Sequence, residues 1–148
     1  MSQGWMGSDF SNDELLNETS ITDDYTSKVT GSETISSVDC YVIELVPKSG
    51  SNIIWGKQKK WITKNTYMQL KTEYYDDENY LLKTEIASKI KEIGGRTLPT
   101  YFELIPADEE GNKTIVEMTK AVYNITVSDS FFSQQNMKKG LVIKFPMK

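Results

Sequence analysis

Tyr41-Val42-Ile43-Glu44-Leu45-Val46-Pro47 is the stretch whose reading decides the fold class. Tyr41, Ile43 and Leu45 alternate with Val42, Glu44 and Val46. A period of two sends the two sets to opposite faces of a β-strand. Pro47 and the Lys48-Ser49-Gly50-Ser51-Asn52 run that follows it end the strand.

The same period continues outward. Ile54 to Thr63 reads as a strand with Trp55 and Trp61 on one face and lysines interleaved. Lys64-Asn65-Thr66 is a tight turn. Tyr67 to Tyr75 alternates again, with Met68, Leu70, Thr72 and Tyr74 on one side. Asp76-Asp77-Glu78-Asn79 is a polar turn, in which Asp and Asn side chains stand in for backbone hydrogen bonds. Tyr80 to Ile93 fits two periods: Leu82, Ile86, Ile90 and Ile93 form a helical stripe, and Leu82, Thr84, Ile86, Ser88 and Ile90 a strand face. Short turns on both sides favour the strand, because antiparallel neighbours need only tight connections. Gly94-Gly95 is a turn, Thr97 to Ile105 a strand with Leu98, Thr100, Phe102 and Leu104 on one face, and Ala107 to Asn112 a hairpin loop. Thr114 to Ile125 reads as the last long strand. Ser128 then offers an N-cap to a helical turn carrying Phe131 and Phe132, and Ser11-Asn12-Asp13-Glu14 a capping box for a short helix near the N-terminus. The expectation is a mainly β (α+β) domain over residues 1–148: one antiparallel sheet of about six or seven strands, sequential strands adjacent, and two short helical pieces.

Composition narrows the function classes. The 148 residues fit one domain with its own core. A net charge of −4 from 17 basic and 21 acidic residues disfavours nucleic acid and anionic membrane surfaces as partners. There is no His, the commonest general base and metal ligand near neutral pH. The single Cys, Cys40, has no His to activate it and no second Cys to pair with, so it reads as a small buried apolar residue. No apolar run reaches the roughly 18–20 residues of a membrane helix. Met1-Ser2-Gln3-Gly4-Trp5-Met6 is not a signal peptide.

Motifs with catalytic or metal-binding chemistry are weak. Asp108-Glu109-Glu110-Gly111-Asn112 lacks calcium-loop spacing and reads as a solvated turn. Gly94-Gly95-Arg96 is too short for a phosphate loop and opens a strand. The aromatics Trp55, Trp61, Tyr67, Tyr74, Tyr75, Tyr80, Tyr101, Phe102 and Tyr123 all fall on expected strands. They serve either as ordinary cross-strand packing or as the wall of an apolar ligand surface.

Four blocks carry a family resemblance. Gly4-Trp5-Met6-Gly7-Ser8-Asp9-Phe10-Ser11-Asn12-Asp13-Glu14-Leu15, Asp39 to Lys48, Lys91 to Thr100 and Asp129 to Met137 occur in the order found in outer-membrane lipoprotein-sorting proteins. The chain therefore resembles the LolA/LolB-like group from Gly4 to Met137. The resemblance implies a curved half-barrel of antiparallel strands, with helices over its open side. It implies a periplasmic carrier that holds lipid or lipoprotein acyl chains and catalyses nothing, with neither cofactor nor metal. It further implies that the signal peptide, first helix and first strands of such a protein lie outside this chain. A sheet lacking those strands is expected to self-associate through an uncovered edge or face.

The strand phases nominate Met68, Leu70, Tyr74, Leu82, Ile86, Phe102 and Leu104 as the apolar lining of the ligand site. The competing function class is a structural or protein–protein interaction module of the bacterial envelope with no ligand cavity. An enzyme ranks third, since it needs a cleft of perturbed carboxylates that spacing does not reveal.

Overall fold

The computed structural model describes residues 21–51 and 53–139. The capping-box helix expected at Ser11 lies outside these residues. A four-residue helix α1 (Ile21–Asp24) leads into seven strands: β1 (Tyr25–Ile35), β2 (Val38–Pro47), β3 (Lys57–Thr63), β4 (Gln69–Tyr75), β5 (Leu81–Ile93), β6 (Arg96–Pro106) and β7 (Thr114–Glu117). A 3-10 turn (Asp129–Phe132) and helix α2 (Gln134–Lys139) follow. The strands form one curved, open antiparallel sheet in sequential order, β1 to β7. Tyr80–Ile93 therefore resolves as a strand, thirteen residues from Leu81.

Turn chemistry explains the meander. Ile93 pairs with Arg96 across Gly94-Gly95, both at positive φ (59° and 79°), the backbone of a two-residue hairpin matched to strand twist. Ile35 pairs with Val38 across Ser36-Ser37, likewise at positive φ (49° and 67°), where neither residue is Gly. Between β4 and β5, Asp76 Oδ1 accepts the backbone N–H groups of Glu78 (2.9 Å) and Tyr80 (2.8 Å), the local bonding expected of that acidic turn. After β3, Thr63 Oγ1 accepts the Met68 N–H at 2.9 Å and lies 2.7 Å from Thr66 Oγ1.

Two elements depart from the sequence reading. β1 has no apolar alternation: of its eleven residues only Tyr25 is buried. It owes its place to its ladder with β2. At the other edge, β7 stops at Glu117 instead of running to Ile125. Beyond one further backbone bond, Met118 N–H to Thr100 O at 2.8 Å, the chain leaves the sheet. It crosses the β5–β6 hairpin, where a Cβ at Gly94 would lie 2.6 Å from Ala121 O and 2.9 Å from Tyr123. The Arg96 guanidinium stacks 4.0 Å from the Tyr123 ring. The expected helical turn at Phe131 and Phe132 is present as the 3-10 turn, although the Ser128 side chain makes no capping bond.

Candidate functional site

Register and alternation divide the side chains between two faces of the sheet. One face carries a row crossing all seven strands: Val29, Ile43, Lys60, Thr72, Glu85, Leu104 and Thr114, each opposite the next. A neighbouring row on the same face runs Ser27, Leu45, Gln58, Tyr74, Lys83 and Pro106. Leu45, Thr72 and Leu104 are at most 1% exposed, and Gln58 and Lys83 are also buried. This face is termed the buried face, although Cys40, Val42, Trp61 and Leu70 on the other side are buried as well. On the opposite face Lys28, Glu44, Lys59 and Glu73 stand opposite one another across β1 to β4, a ladder of alternating charge. Opposite charges on cross-strand neighbours stabilise the pairing.

The buried face is not uniformly apolar. Lys60 Nζ donates to Gln69 Oε1 at 3.0 Å and to Thr72 Oγ1 at 3.4 Å. Gln69 Nε2 donates to Glu85 Oε1 at 3.3 Å, and Tyr74 Oη to Glu85 Oε2 at 3.4 Å. Burial pushes the Lys60 ammonium below its ordinary proton affinity, against the opposing pull of Glu85. Next in the row, Lys83 Nζ sits 4.7 Å from the Trp55 ring and 5.2 Å from the Tyr74 ring. Trp55 and Tyr74 pack at 5.0 Å with planes inclined by 55°. Trp55 reaches this position because Gly56 presses on the β4–β5 turn, where a Cβ would lie 2.2 Å from Asp76 O. Gln58 Nε2 donates to the Tyr25 hydroxyl at 2.9 Å. That hydroxyl is held above its usual proton affinity by burial and then by the Asp24 charge.

On the opposite face, Cys40, Val42, Trp61 and Leu70 form an apolar cluster, with Ile35, Val38 and Met68 against it. Trp61 and Trp55 therefore do not share a face. Trp55 precedes β3 and joins Tyr74 on the buried face.

A bulge explains how the sequence-nominated lining is distributed. Trp61 pairs with Lys71 and Ile62 with Gln69, leaving Leu70 without a partner on β3. The extra residue resets the phase of β4. Met68 and Leu70 go to the Cys40 cluster, while Gln69, Thr72 and Tyr74 serve the buried face. Ile86 lies opposite Lys71 and Glu103, on the cluster's side of the sheet. Leu82 is the extra residue of a second irregularity, between Leu81 and Lys83, and is 38% exposed. Tyr74, Phe102 and Leu104 share the buried face. The structure thus brings three of the seven together and places Met68, Leu70 and Ile86 behind them. The sequence reading missed Lys60, Gln69 and Glu85, because inter-strand register and the bulge that turns Gln69 to this face are set by backbone pairing and leave no mark in the sequence.

Among the described residues, no group of three or more His, Cys, Asp or Glu side chains could hold a metal ion. No helix among them is long and apolar enough to cross a membrane.

This open, sequentially connected antiparallel sheet is the LolA-like fold. The chain is similar to the crystal structure of a DUF1329 family protein from Desulfovibrio piger, with TM-score 0.78 and 29% identity, covering 89% of this chain and 54% of that one. It is similar to a domain assigned to outer-membrane lipoprotein sorting from Vibrio parahaemolyticus (TM-score 0.76, 23% identity, 93% of this chain and 57% of that one). It is also similar to a LolA superfamily protein from Nitrosomonas europaea (TM-score 0.69, 22% identity, 91% and 60%). This chain spans 54–60% of the length of those proteins. A family model described as "Uncharacterized protein"-like matches residues 1–139, and the chain belongs to that family. No curated protein matches it.

Proposed function

We propose that this chain is a non-enzymatic binder of lipid or lipoprotein acyl chains in the bacterial periplasm. The observation that carries the reading is the open curved sheet shared with a lipoprotein-sorting domain and a LolA superfamily protein. An open, curved sheet leaves a face on which an apolar ligand can lie. Phe102 and Val116, opposite each other at one end of the buried face, and Ile43, Ile62 and Tyr41 at the other, offer that surface. Leu45 and Leu104 are buried on the same face. Burial of hydrocarbon supplies the affinity, about 25 cal/mol per Å² of apolar area.

Native mass spectrometry after gentle purification tests the reading. Co-purified lipid, or one-to-one uptake of an added long-chain amphiphile, supports it; a protein that stays bare with a saturating amphiphile overturns it. The same reading includes self-association through an open sheet edge. Ile115 and Val116 on the four-residue β7 edge are 46% and 42% exposed. Sedimentation velocity at micromolar concentration reads this, and a monomer removes that part of the proposal.

A further inference from the structure

The row Ile43, Lys60, Thr72, Glu85 and Leu104 holds an ammonium and a carboxylate on a largely buried face without pairing them. Gln69 stands between the two. Its carbonyl accepts from Lys60 Nζ at 3.0 Å, while its amide N–H donates to Glu85 at 3.3 Å. Thr72 takes a second ammonium proton at 3.4 Å. Lysine carries three N–H donors, so one is left over, and no carboxylate among the described residues pairs directly with Lys60. Lys60 is half-buried and the nearest carboxylate charge, Glu85, reaches it only across Gln69, an arrangement that leaves the ammonium partly uncompensated. Ile43 and Val29 precede it in the row, and packing against them alone would be served by an apolar residue at position 60.

The surroundings of Lys60 are apolar and accessible. Ile43 lies opposite it on β2, and Val29 opposite Ile43 on β1. Ile62 lies two residues along β3, opposite Tyr41. Val29 is 58% exposed and Tyr41 38%, and Ile43 and Ile62 are half-buried. Lys64 Nζ is 5.4 Å from the Tyr41 ring, which adds a second positive charge at the border of this patch.

We propose that Lys60 is the anion-binding group of this face: it receives the carboxylate or phosphate head of a single-chain amphiphile whose hydrocarbon runs over Ile43, Ile62, Tyr41 and Val29. The inference rests on the acyl-binding reading and adds a charge requirement to it. An arriving oxyanion takes the spare N–H and supplies the counter-charge that Gln69 holds at a distance. Such charge-assisted bonds in a partly dry site are strong.

Calorimetric titration of the whole chain with decanoate, decyl phosphate, decanol and inorganic phosphate tests it. Decanoate and decyl phosphate should bind at least about tenfold tighter than decanol, the size of one charge-assisted bond. The tighter of the two identifies the head group. Lys60→Met should bring both down to the affinity of decanol, and Lys60→Arg should keep the preference. Thermal melting shows whether each variant is folded, and the wild-type comparison stands without either. Equal binding of decanoate, decyl phosphate and decanol by the wild type, or a preference that survives in Lys60→Met, overturns the role of Lys60 and leaves acyl binding intact. Inorganic phosphate binding as tightly as decyl phosphate overturns the amphiphile in favour of a free anion. If none of the three decyl compounds binds, acyl binding and this inference fall together.

Discussion

Trp61 Nε1 donates a hydrogen bond to Glu33 Oε2 at 2.8 Å, tying β3 to β1 over the top of β2. Trp61 is buried in the Cys40 cluster, and Glu33 lies opposite Cys40 on the edge strand. This side-chain bond reaches past the ladder to secure a strand that buries almost nothing of its own. Glu33→Ala should cost about 1 kcal/mol in urea unfolding. Trp61→Phe adds a packing loss to that, and the double variant should cost less than the sum of the two. Additive losses would show that the bond contributes nothing to stability.

Glu73 gives the protein a defined acid response. Burial opposes its ionisation, but hydrogen bonds from Lys71 and Tyr75, and the charges of Lys71 and Lys59, outweigh it and hold the carboxyl below its usual value near 4.5. A depressed folded-state value means a contribution present above the unfolded value and lost as pH falls through the folded one. Glu73→Gln should therefore be less stable than wild type at pH 7. The gap should narrow as pH falls below the usual value near 4.5 and close once pH has passed the lower folded-state value. A gap that stays constant from pH 7 to pH 3, followed by chemical unfolding, would contradict this account.

Cys40 is fully buried, its thiol lies 3.5 Å from Val38 O, and burial pushes its proton affinity up. Thiolate is the reactive form. Ellman's reagent should label the native protein only at the rate of opening of β2 and react at once in denaturant. Rapid labelling of the native chain would refute the burial.

Gly56 fixes where Trp55 sits. Gly56→Ala forces a Cβ into the Asp76–Asp77 backbone. The expected loss is roughly 1–3 kcal/mol, with a change in Trp55 emission as its ring moves off Tyr74. Wild-type stability with unchanged emission would show that the loop and turn separate freely.

Ser36 and Ser37 occupy positive φ where Asn-Gly is the favoured pair. Replacing them by Asn-Gly should raise stability by roughly 0.5–1 kcal/mol, read from the urea midpoint; a lower midpoint would count against the hairpin geometry.

Most of the sheet was legible because most of its strands alternate. Tyr41 to Val46 and Leu98 to Leu104 give the face each side chain takes, and Gly94-Gly95 and Asp76 to Asn79 mark turns by chemistry that acts locally. β1 was invisible because an edge strand facing solvent has no reason to alternate apolar residues; Tyr25 alone betrays it. β7 was read too long because Met118 to Ile125 keeps a strand-like composition while its partner is a hairpin surface rather than a ladder. The candidate lining was grouped by an unbroken period of two, and two irregularities broke it. At Leu82 and Leu70 the chain spends one extra residue, an event set by backbone pairing with a distant strand and unmarked by either leucine.

The extra residue at Leu70 makes chain length itself a carrier of information. Between Ile62 and Lys71 the count of residues, more than their chemistry, sets which side chains meet Lys60 and Glu85 and which meet Cys40. Deleting Leu70 itself would leave Ile62 opposite Gln69 and Trp61 opposite Lys71 in an unbroken ladder, whereas deleting Gln69 would bring Leu70 opposite Ile62 and put a leucine where the amide meets the ammonium. Ordinary point changes leave that parity untouched. Substitution and deletion beside this bulge are therefore different kinds of event: the first edits a side chain in place, and the loss of Gln69 moves its neighbour to the other face.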